Sequence, residues 1–438
     1  MKKKLNLFDL ISLGVGTIIG SGIFSLLGYG IAYTGRSIIV ALFLAMFLVV
    51  MQSIRYPILT SIFELKGGMY GISSMTNPKV CAGFDAASDL FFKIGTSSVT
   101  CLALVEYMIV LMPGIGAYKK LAAAVLLTVF YIIAAVGDKF AAKVQNLMVI
   151  LMYLALGLFV VYGLKNYNPD AYAGEPFIMN GFTAFMSATA LMSYTCNGFQ
   201  YVINMGEAAE RPKRDIPLGF FLSAFVAAAI YALIGFAATH AFSYGEIAGQ
   251  NLGFIAKLMM PNSLYNFFVI GGAMFALGTS LLGGIASGYR PVQAAAKDGW
   301  WPEALAHESR FGVPNVYFLL YILSLVPILA GIDLNDLAAM SLIPSGILGA
   351  ITNFYAMKVP ETYAKQWNES TVKMSPTMYR FLLVIASIAS LIIAYYAFSS
   401  NSFKVPATII TIAIFAYGYI RSRSDRINIQ AKQVYTAE

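Results

Sequence analysis

The sequence predicts an all-α polytopic membrane protein with twelve transmembrane helices, and three observations carry that prediction. Of 438 residues, 59% are hydrophobic and only 11% are charged, whereas a soluble domain carries about 25% charged residues. Apolar runs of the length needed to span a bilayer, about 20 residues, recur along the whole chain, and no hydrophilic stretch is long enough for a separate soluble domain. The charges are also sorted. Of the 29 Lys and Arg, Arg55 and Lys93 fall within spans, and Arg36, Lys119, Lys120, Lys165, Lys257 and Lys404 fall on one set of connections. The remainder, Arg290 at the end of span 8 included, lie on the other set or at the span ends beside it, as the positive-inside rule expects of cytoplasmic loops. This sorting places both termini in the cytoplasm and the chain in the cytoplasmic membrane. It also explains the net charge of +8 without a nucleic-acid partner.

The spans fall at roughly 7–33, 37–63, 84–113, 119–137, 142–164, 180–206, 216–243, 264–292, 314–331, 334–357, 376–398 and 404–421. The first is too long for a cleavable signal and has no small-residue cleavage site. Cys81, Cys101 and Cys196 lack metal-ligand spacing, and the two histidines, His240 and His307, stand far apart. The expectation is no structural disulfide, no metal and no cofactor.

Span 1 contains Gly14-Val15-Gly16-Thr17-Ile18-Ile19-Gly20-Ser21-Gly22, an excess of glycine near mid-membrane. Such a run suits either a close helix contact or a helix that opens. An opened helix bares N–H and C=O groups, which is tolerated only where the backbone is buried in protein or lines a cavity. Span 6 carries a matching interruption, Ser193-Tyr194-Thr195-Cys196-Asn197-Gly198-Phe199-Gln200. Five is odd, so two five-span halves beginning at spans 1 and 6 enter the membrane in opposite senses. Interrupted helices at matching positions of inverted halves point to a transporter site, which favours the opened-helix reading.

The connections are distinctive as well. Glu64-Leu65-Lys66-Gly67-Gly68-Met69-Tyr70 follows span 2, and Glu207 to Pro217 follows span 6. Ala294 to Pro302 follows span 8 and reads as a short amphipathic helix along the cytoplasmic face; Gly312-Val313-Pro314 opens span 9. Together with Gly20-Ser21-Gly22-Ile23-Phe24, these residues, in this order and spacing, resemble the amino acid–polyamine–organocation superfamily of permeases over roughly spans 1 to 9.

The resemblance implies a 5+5 inverted repeat with broken helices 1 and 6 plus two C-terminal helices: residues 1–164, 165–357 and 358–438. It implies alternating access around a midplane site and an amino acid as substrate. Carried over, Gly20, Ser21 and Gly22 hold the substrate carboxylate. Ile18, Ile19, Cys196 and Asn197 offer carbonyls to its amine, and Phe199 resembles an aromatic gate. Thr17, Tyr194, Thr195 and Gly284 border the side-chain pocket. The physics agrees, because a zwitterion sheds its water only where fixed dipoles replace it.

The departures from the family are equally specific. The position of the titrating glutamate of the arginine/agmatine antiporters is Gln200, and the span 5 lysine of other branches aligns with Met152. Thr279 and Ser280 or Ser287 on span 8 are hydroxyl candidates for a sodium ion. The loop between spans 3 and 4 has no cysteine, so no disulfide-linked accessory subunit is expected; the oligomeric state, a homodimer included, stays open.

Charges at membrane depth are functional candidates. Asp89 and Lys93 are four apart on span 3 and share a helix face. Glu106 lies about 20 Å further along, near the outer end, and Arg55 sits beside Pro57 in span 2. Asp89, Lys93, Glu106 and Gln200 are therefore coupling or gating candidates. With no acid at the centre of span 1 or 6, neutral amino acids are the expected substrates, moved by exchange or uptake. The alternative is a cationic amino acid, polyamine or amine antiporter. An enzyme would need a nucleophile, a metal cluster or paired acids, and a receptor would need an added soluble domain; neither set of features is legible, so no catalytic residue is expected.

Overall fold

A computed structural model of the chain describes residues 5–20, 22–63, 68–136, 138–206, 209–309 and 313–429; the side chains of residues 136–147, 286, 287 and 290 lie outside that description. The fold is all-α. In order, the helices are α1 (Leu7–Ile18), α2 (Leu27–Thr34), α3 (Ile38–Gln52), α4 (Arg55–Thr60), α5 (Gly68–Thr76), α6 (Lys79–Leu111), α7 (Lys119–Val136), α8 (Asp138–Lys165), α9 (Gly181–Thr195) and α10 (Pro212–Thr239). They continue as α11 (Tyr244–Ile247), α12 (Leu252–Met259), α13 (Asn262–Phe267), α14 (Phe275–Lys297), α15 (Val316–Ala330), α16 (Leu334–Ala356), α17 (Val359–Thr362), α18 (Ala364–Glu369), α19 (Pro376–Ser400) and α20 (Lys404–Ser422). Among the described residues the β contacts are two isolated bridges, Leu5 with Ala209 and Glu308 with Pro314.

Nine helices among the described residues are long and apolar enough to cross a membrane, against twelve expected spans. The difference has physical causes. Spans 1 and 2 count as one apolar segment, Leu7–Gln52, because only a short 3-10 turn, Gly35–Ser37, separates α2 from α3. Span 6 stops as a helix at Thr195, and α15 has 15 residues. The outward faces are apolar. On α19, Phe381, Val384, Ile388, Leu391 and Tyr395 are exposed at helical spacing while Leu383, Ala386, Ala389 and Ile393 are buried. A helix that is oily on both faces belongs in a bilayer.

The expected amphipathic helix after span 8 is absent. α14 instead continues to Lys297, and Asp298–Trp301 turns back without forming a separate helix. Trp300 is fully buried there with Tyr70, Ala82, Ala86, Ala295 and Ile427. The Tyr70 hydroxyl donates to Asp298 at 2.6 Å, and burial together with that carboxylate pushes its pKa well above the usual range. An aromatic this large gains more by filling an interior than by lying on a surface.

The two halves of the first span are held by different neighbours. α1 is seated on α10: a Cβ on Gly14 would fall 2.2 Å from Ser223 Oγ, and Ser223 Oγ donates to the Ile11 carbonyl at 3.3 Å. α2 is held by the start of α9, where Asn180 Nδ2 donates to the Ala32 carbonyl at 3.1 Å, and by the connection after α10. Gly249 N–H donates to the Gly28 carbonyl at 2.8 Å, and the Tyr244 hydroxyl donates to that of Ala32 at 2.6 Å.

Candidate functional site

Two of the expected helix interruptions are present and face each other. α1 ends at Ile18, Ile19 adopts an extended backbone, and a π-helical turn begins at Gly22 and runs to Leu26. α9 ends at Thr195, and a 3-10 turn resumes at Phe199 and runs to Met205. Between them, Gly198 has φ +137°, a conformation that side-chain-bearing residues rarely adopt. A Cβ on Gly198 would meet the Thr17 carbonyl oxygen at 2.5 Å, and one on Gly22 would meet Thr195 Cα at 2.5 Å. Glycine at these places lets two backbones touch.

Each break leaves carbonyls without helical partners, and side chains collect them. The Tyr231 hydroxyl, on α10, lies 2.8 Å from the Ile18 carbonyl and 3.2 Å from that of Thr195, sharing its proton between the two breaks. Thr17 Oγ1 reaches the Gly198 carbonyl at 3.1 Å as well as Gly14 at 2.8 Å. Ser280 Oγ on α14 lies 3.4 Å from the Ile19 carbonyl, and a Cβ on Gly20 would strike that hydroxyl at 1.9 Å. Gln200 folds back so that its Oε1 accepts from Gly198 N–H at 2.8 Å and its Nε2 donates to Asn197 Oδ1 at 3.0 Å. Gln200 thus caps the second break with no ionisable group.

The remaining expected site residues fall into three groups. Gly20, Gly22, Ile18, Ile19, Thr195 and Cys196 are buried at the breaks, and Thr195 Oγ1 has no hydrogen-bond partner among the described residues. Phe199 faces away from open space, edge-on to Phe220 of α10 at 4.7 Å, and Tyr194 is buried near Phe92. Gly284 is half-buried beside open space. Ser21 lies outside the described residues, as do Gly67, Glu207 and Gly312 and the side chain of Ser287. Of the other sodium candidates, Thr279 Oγ1 donates to the Ala276 carbonyl at 2.9 Å. Met152 is fully buried, and Cys81, Cys101 and Cys196 are free thiols.

A cavity of about 160 Å³ approaches the breaks from one side. It touches the second break at Asn197, Gly198 and Gln200, but none of the described residues of the first break lines it. Asp89 and Lys93 line it and pair at 3.7 Å, while Lys93 Nζ donates to the Tyr201 hydroxyl at 2.8 Å. Arg55 and Asp85 share the wall. Glu106 is elsewhere, in an ion pair of 3.0 Å with Lys119, its side chain 29% exposed.

Sequence reading missed Tyr231, Tyr201 and Asp85. Asp85 carried a signal, since 85, 89 and 93 form an i, i+4, i+8 ladder on one helix face. Tyr231 carried none; it is one tyrosine among 27, and what distinguishes it is the pair of carbonyls that the fold brings to its hydroxyl.

A polytopic bundle built around two facing helix breaks is the architecture of a membrane transporter. The comparisons with known proteins make that specific. The chain matches the amino acid permease family over residues 5–418 and belongs to it; this is a family of transporters, not of enzymes. Among its relatives, the branched-chain amino acid permease BcaP of Bacillus subtilis is 26% identical over 326 residues, 70% of each chain. The methylthioribose transporter of the same organism is 25% identical over 325 residues, again 70% of each. The chloroplastic cationic amino acid transporter 9 of Arabidopsis thaliana is 26% identical over 68% of this chain and 56% of its own length.

Proposed function

We propose that this permease carries neutral, predominantly aliphatic L-amino acids across the cytoplasmic membrane by alternating access at the two breaks, as an exchanger or uptake system. The reading rests on one observation above all. The described residues at the breaks offer backbone dipoles, hydroxyls and amides but no carboxylate and no cation. Amide N–H groups at Gly20 and Gly22, with Ser21, suit the carboxylate of an amino acid. Carbonyls at Ile18, Ile19, Cys196 and Asn197 suit its ammonium, and Thr17, Tyr194, Thr195 and Gly284 border the side chain, while Phe199, packed on Phe220, is set back from it. A cationic side chain would find no countercharge there, and Glu106, the acid that could have served it, is engaged with Lys119. The resemblance to the branched-chain amino acid permease BcaP supports an aliphatic preference.

We further read twelve crossings as two inverted five-helix halves, 1–164 and 165–357, with 358–438 added, both termini cytoplasmic. The position of the breaks, five expected spans apart, supports that division. Uptake of a panel of labelled amino acids into liposomes containing the purified chain tests the function. Leucine, isoleucine or valine should accumulate or exchange, with lysine and putrescine inactive; transport of the cations alone would reverse the assignment.

A further inference from the structure

Arg55 is 3% exposed, yet its charge has no counter-ion in contact. Its Nη2 donates to the Tyr56 hydroxyl at 2.6 Å and to Ser73 Oγ at 3.4 Å, both neutral groups. Nε and Nη1 have no hydrogen-bond partner among the described residues. No described carboxylate lies within 4.0 Å of it; Asp85 on the same cavity wall feels its charge only from beyond that distance. The guanidinium also lies over the Tyr56 ring at 4.5 Å, but two of its nitrogens are left without an acceptor among the described residues, a shortage that a bound anion would answer. On the same wall, Asp89 has the opposite shortage. Its Oδ1 faces Lys93 at 3.7 Å, a long contact, and its Oδ2 has no partner. Lys93 is meanwhile satisfied by the Tyr201 hydroxyl at 2.8 Å and by the Tyr201 ring beneath it at 4.2 Å.

We propose that Arg55 and Asp89 form a second station for the amino acid, distinct from the helix breaks, where Arg55 takes the α-carboxylate and Asp89 the α-ammonium. This rests on the amino-acid substrate proposed above. A halide would answer only the guanidinium and a diamine only the acids; a zwitterion answers both. The cavity has room for a small solute, since its volume of about 160 Å³ is many times the ~10–15 Å³ that a single water needs. It is also on the route: Asn197, Gly198 and Gln200 of the second break line the same space, so a substrate released from the breaks on this side enters the Arg55–Asp89 chamber directly. Arginine suits a transient carboxylate stop, because its planar donors remain charged at any physiological pH.

Equilibrium binding of tritiated leucine to the purified full chain tests this. Wild type should bind two leucines per chain, one tightly and one at least tenfold more weakly. Arg55→Gln and Asp89→Asn should each bind one, with the tight affinity changed less than twofold, and Arg55→Lys should regain part of the weak binding. Gly22→Val should lose the tight site and keep the weak one. One wild-type site, with Arg55→Gln identical to wild type, overturns the second station while leaving the transport reading intact. Absence of any leucine binding by wild type removes both. If Arg55→Gln fails to fold, Asp89→Asn decides: two sites in that variant overturn the proposal.

Discussion

The paired helix breaks and the charged chamber beside them handle polarity in opposite ways. At the breaks, the polar groups are main-chain carbonyls and amides held by Tyr231, Thr17, Ser280 and Gln200. In the chamber they are full charges on side chains, Arg55, Asp85, Asp89 and Lys93. Backbone dipoles cost little to bury when each finds a partner, and their positions are fixed by the chain. Ionised side chains cost several kcal/mol each to bury unless an opposite charge is supplied. The first device suits selective recognition, and the second suits a step that must let go.

The largest effect that tests this contrast should come from Gly22. Its missing Cβ would overlap backbone Cα of Thr195, so Gly22→Ala should reduce leucine uptake at least a hundredfold, with no single second-site change restoring it. Gly20 meets a side chain instead, Ser280. Gly20→Ala should therefore be severe alone but substantially rescued by Ser280→Gly. Equal rescue of both glycines by side-chain trimming would contradict a backbone-to-backbone contact at Gly22.

Next in size is Tyr231→Phe. Losing one shared hydroxyl costs about 1–2 kcal/mol, which corresponds to a roughly tenfold rise in KM, measured in proteoliposomes with thermal stability as a control. An unchanged KM would show that the hydroxyl plays no part in holding the breaks. Gln200→Glu should leave uptake at pH 7.5 within a fewfold of wild type. It should also add a pH dependence below that which wild type lacks, because a buried carboxylate changes charge in this interval. Variant and wild-type pH profiles that superimpose would rule out position 200 as a place where coupling can be introduced.

The smallest effect belongs to the exposed rim. Glu246 accepts from both the hydroxyl and the amide of Ser243 at the start of α11, and those bonds lower its pKa. A lowered carboxylate pKa stabilises the fold above its unfolded value, and that contribution is lost as pH falls through the folded value. Ser243→Ala should lower the melting temperature by a degree or two at pH 7, with the difference closing in acid; transport should not change.

How much of this was readable beforehand depended on whether the signal was local. The bilayer makes hydrophobic runs and sorted charges local, so the all-α polytopic class came from composition and order alone. The interruptions near Gly20 and Gly198 were likewise local, though mid-span glycine also serves close helix contacts, and it was the pairing of the two runs that separated the readings. The Asp89–Lys93 pair followed from helical spacing. What did not follow needed three dimensions. The fate of Trp300 depends on a pocket assembled from Tyr70, Ala82 and Ile427, which are far apart in the chain. The direction in which Phe199 points depends on Phe220. That no described carboxylate comes into contact with Arg55 is a statement about neighbours in space, which no sequence window contains.

The different moorings of the first span's two halves have a mechanical result. Ile11, Gly14 and Ile18 tie the first half to α10, while Gly28 and Ala32 tie the second half to the segment that follows α10 and to Asn180 before α9. The interruption between Ile18 and Gly22 is therefore anchored on both sides. Because the Tyr231 hydroxyl bonds Ile18 and Thr195 alike, a shift of α1 against α10 would strain the end of α9 as well. The two breaks are thus joined through a single tyrosine.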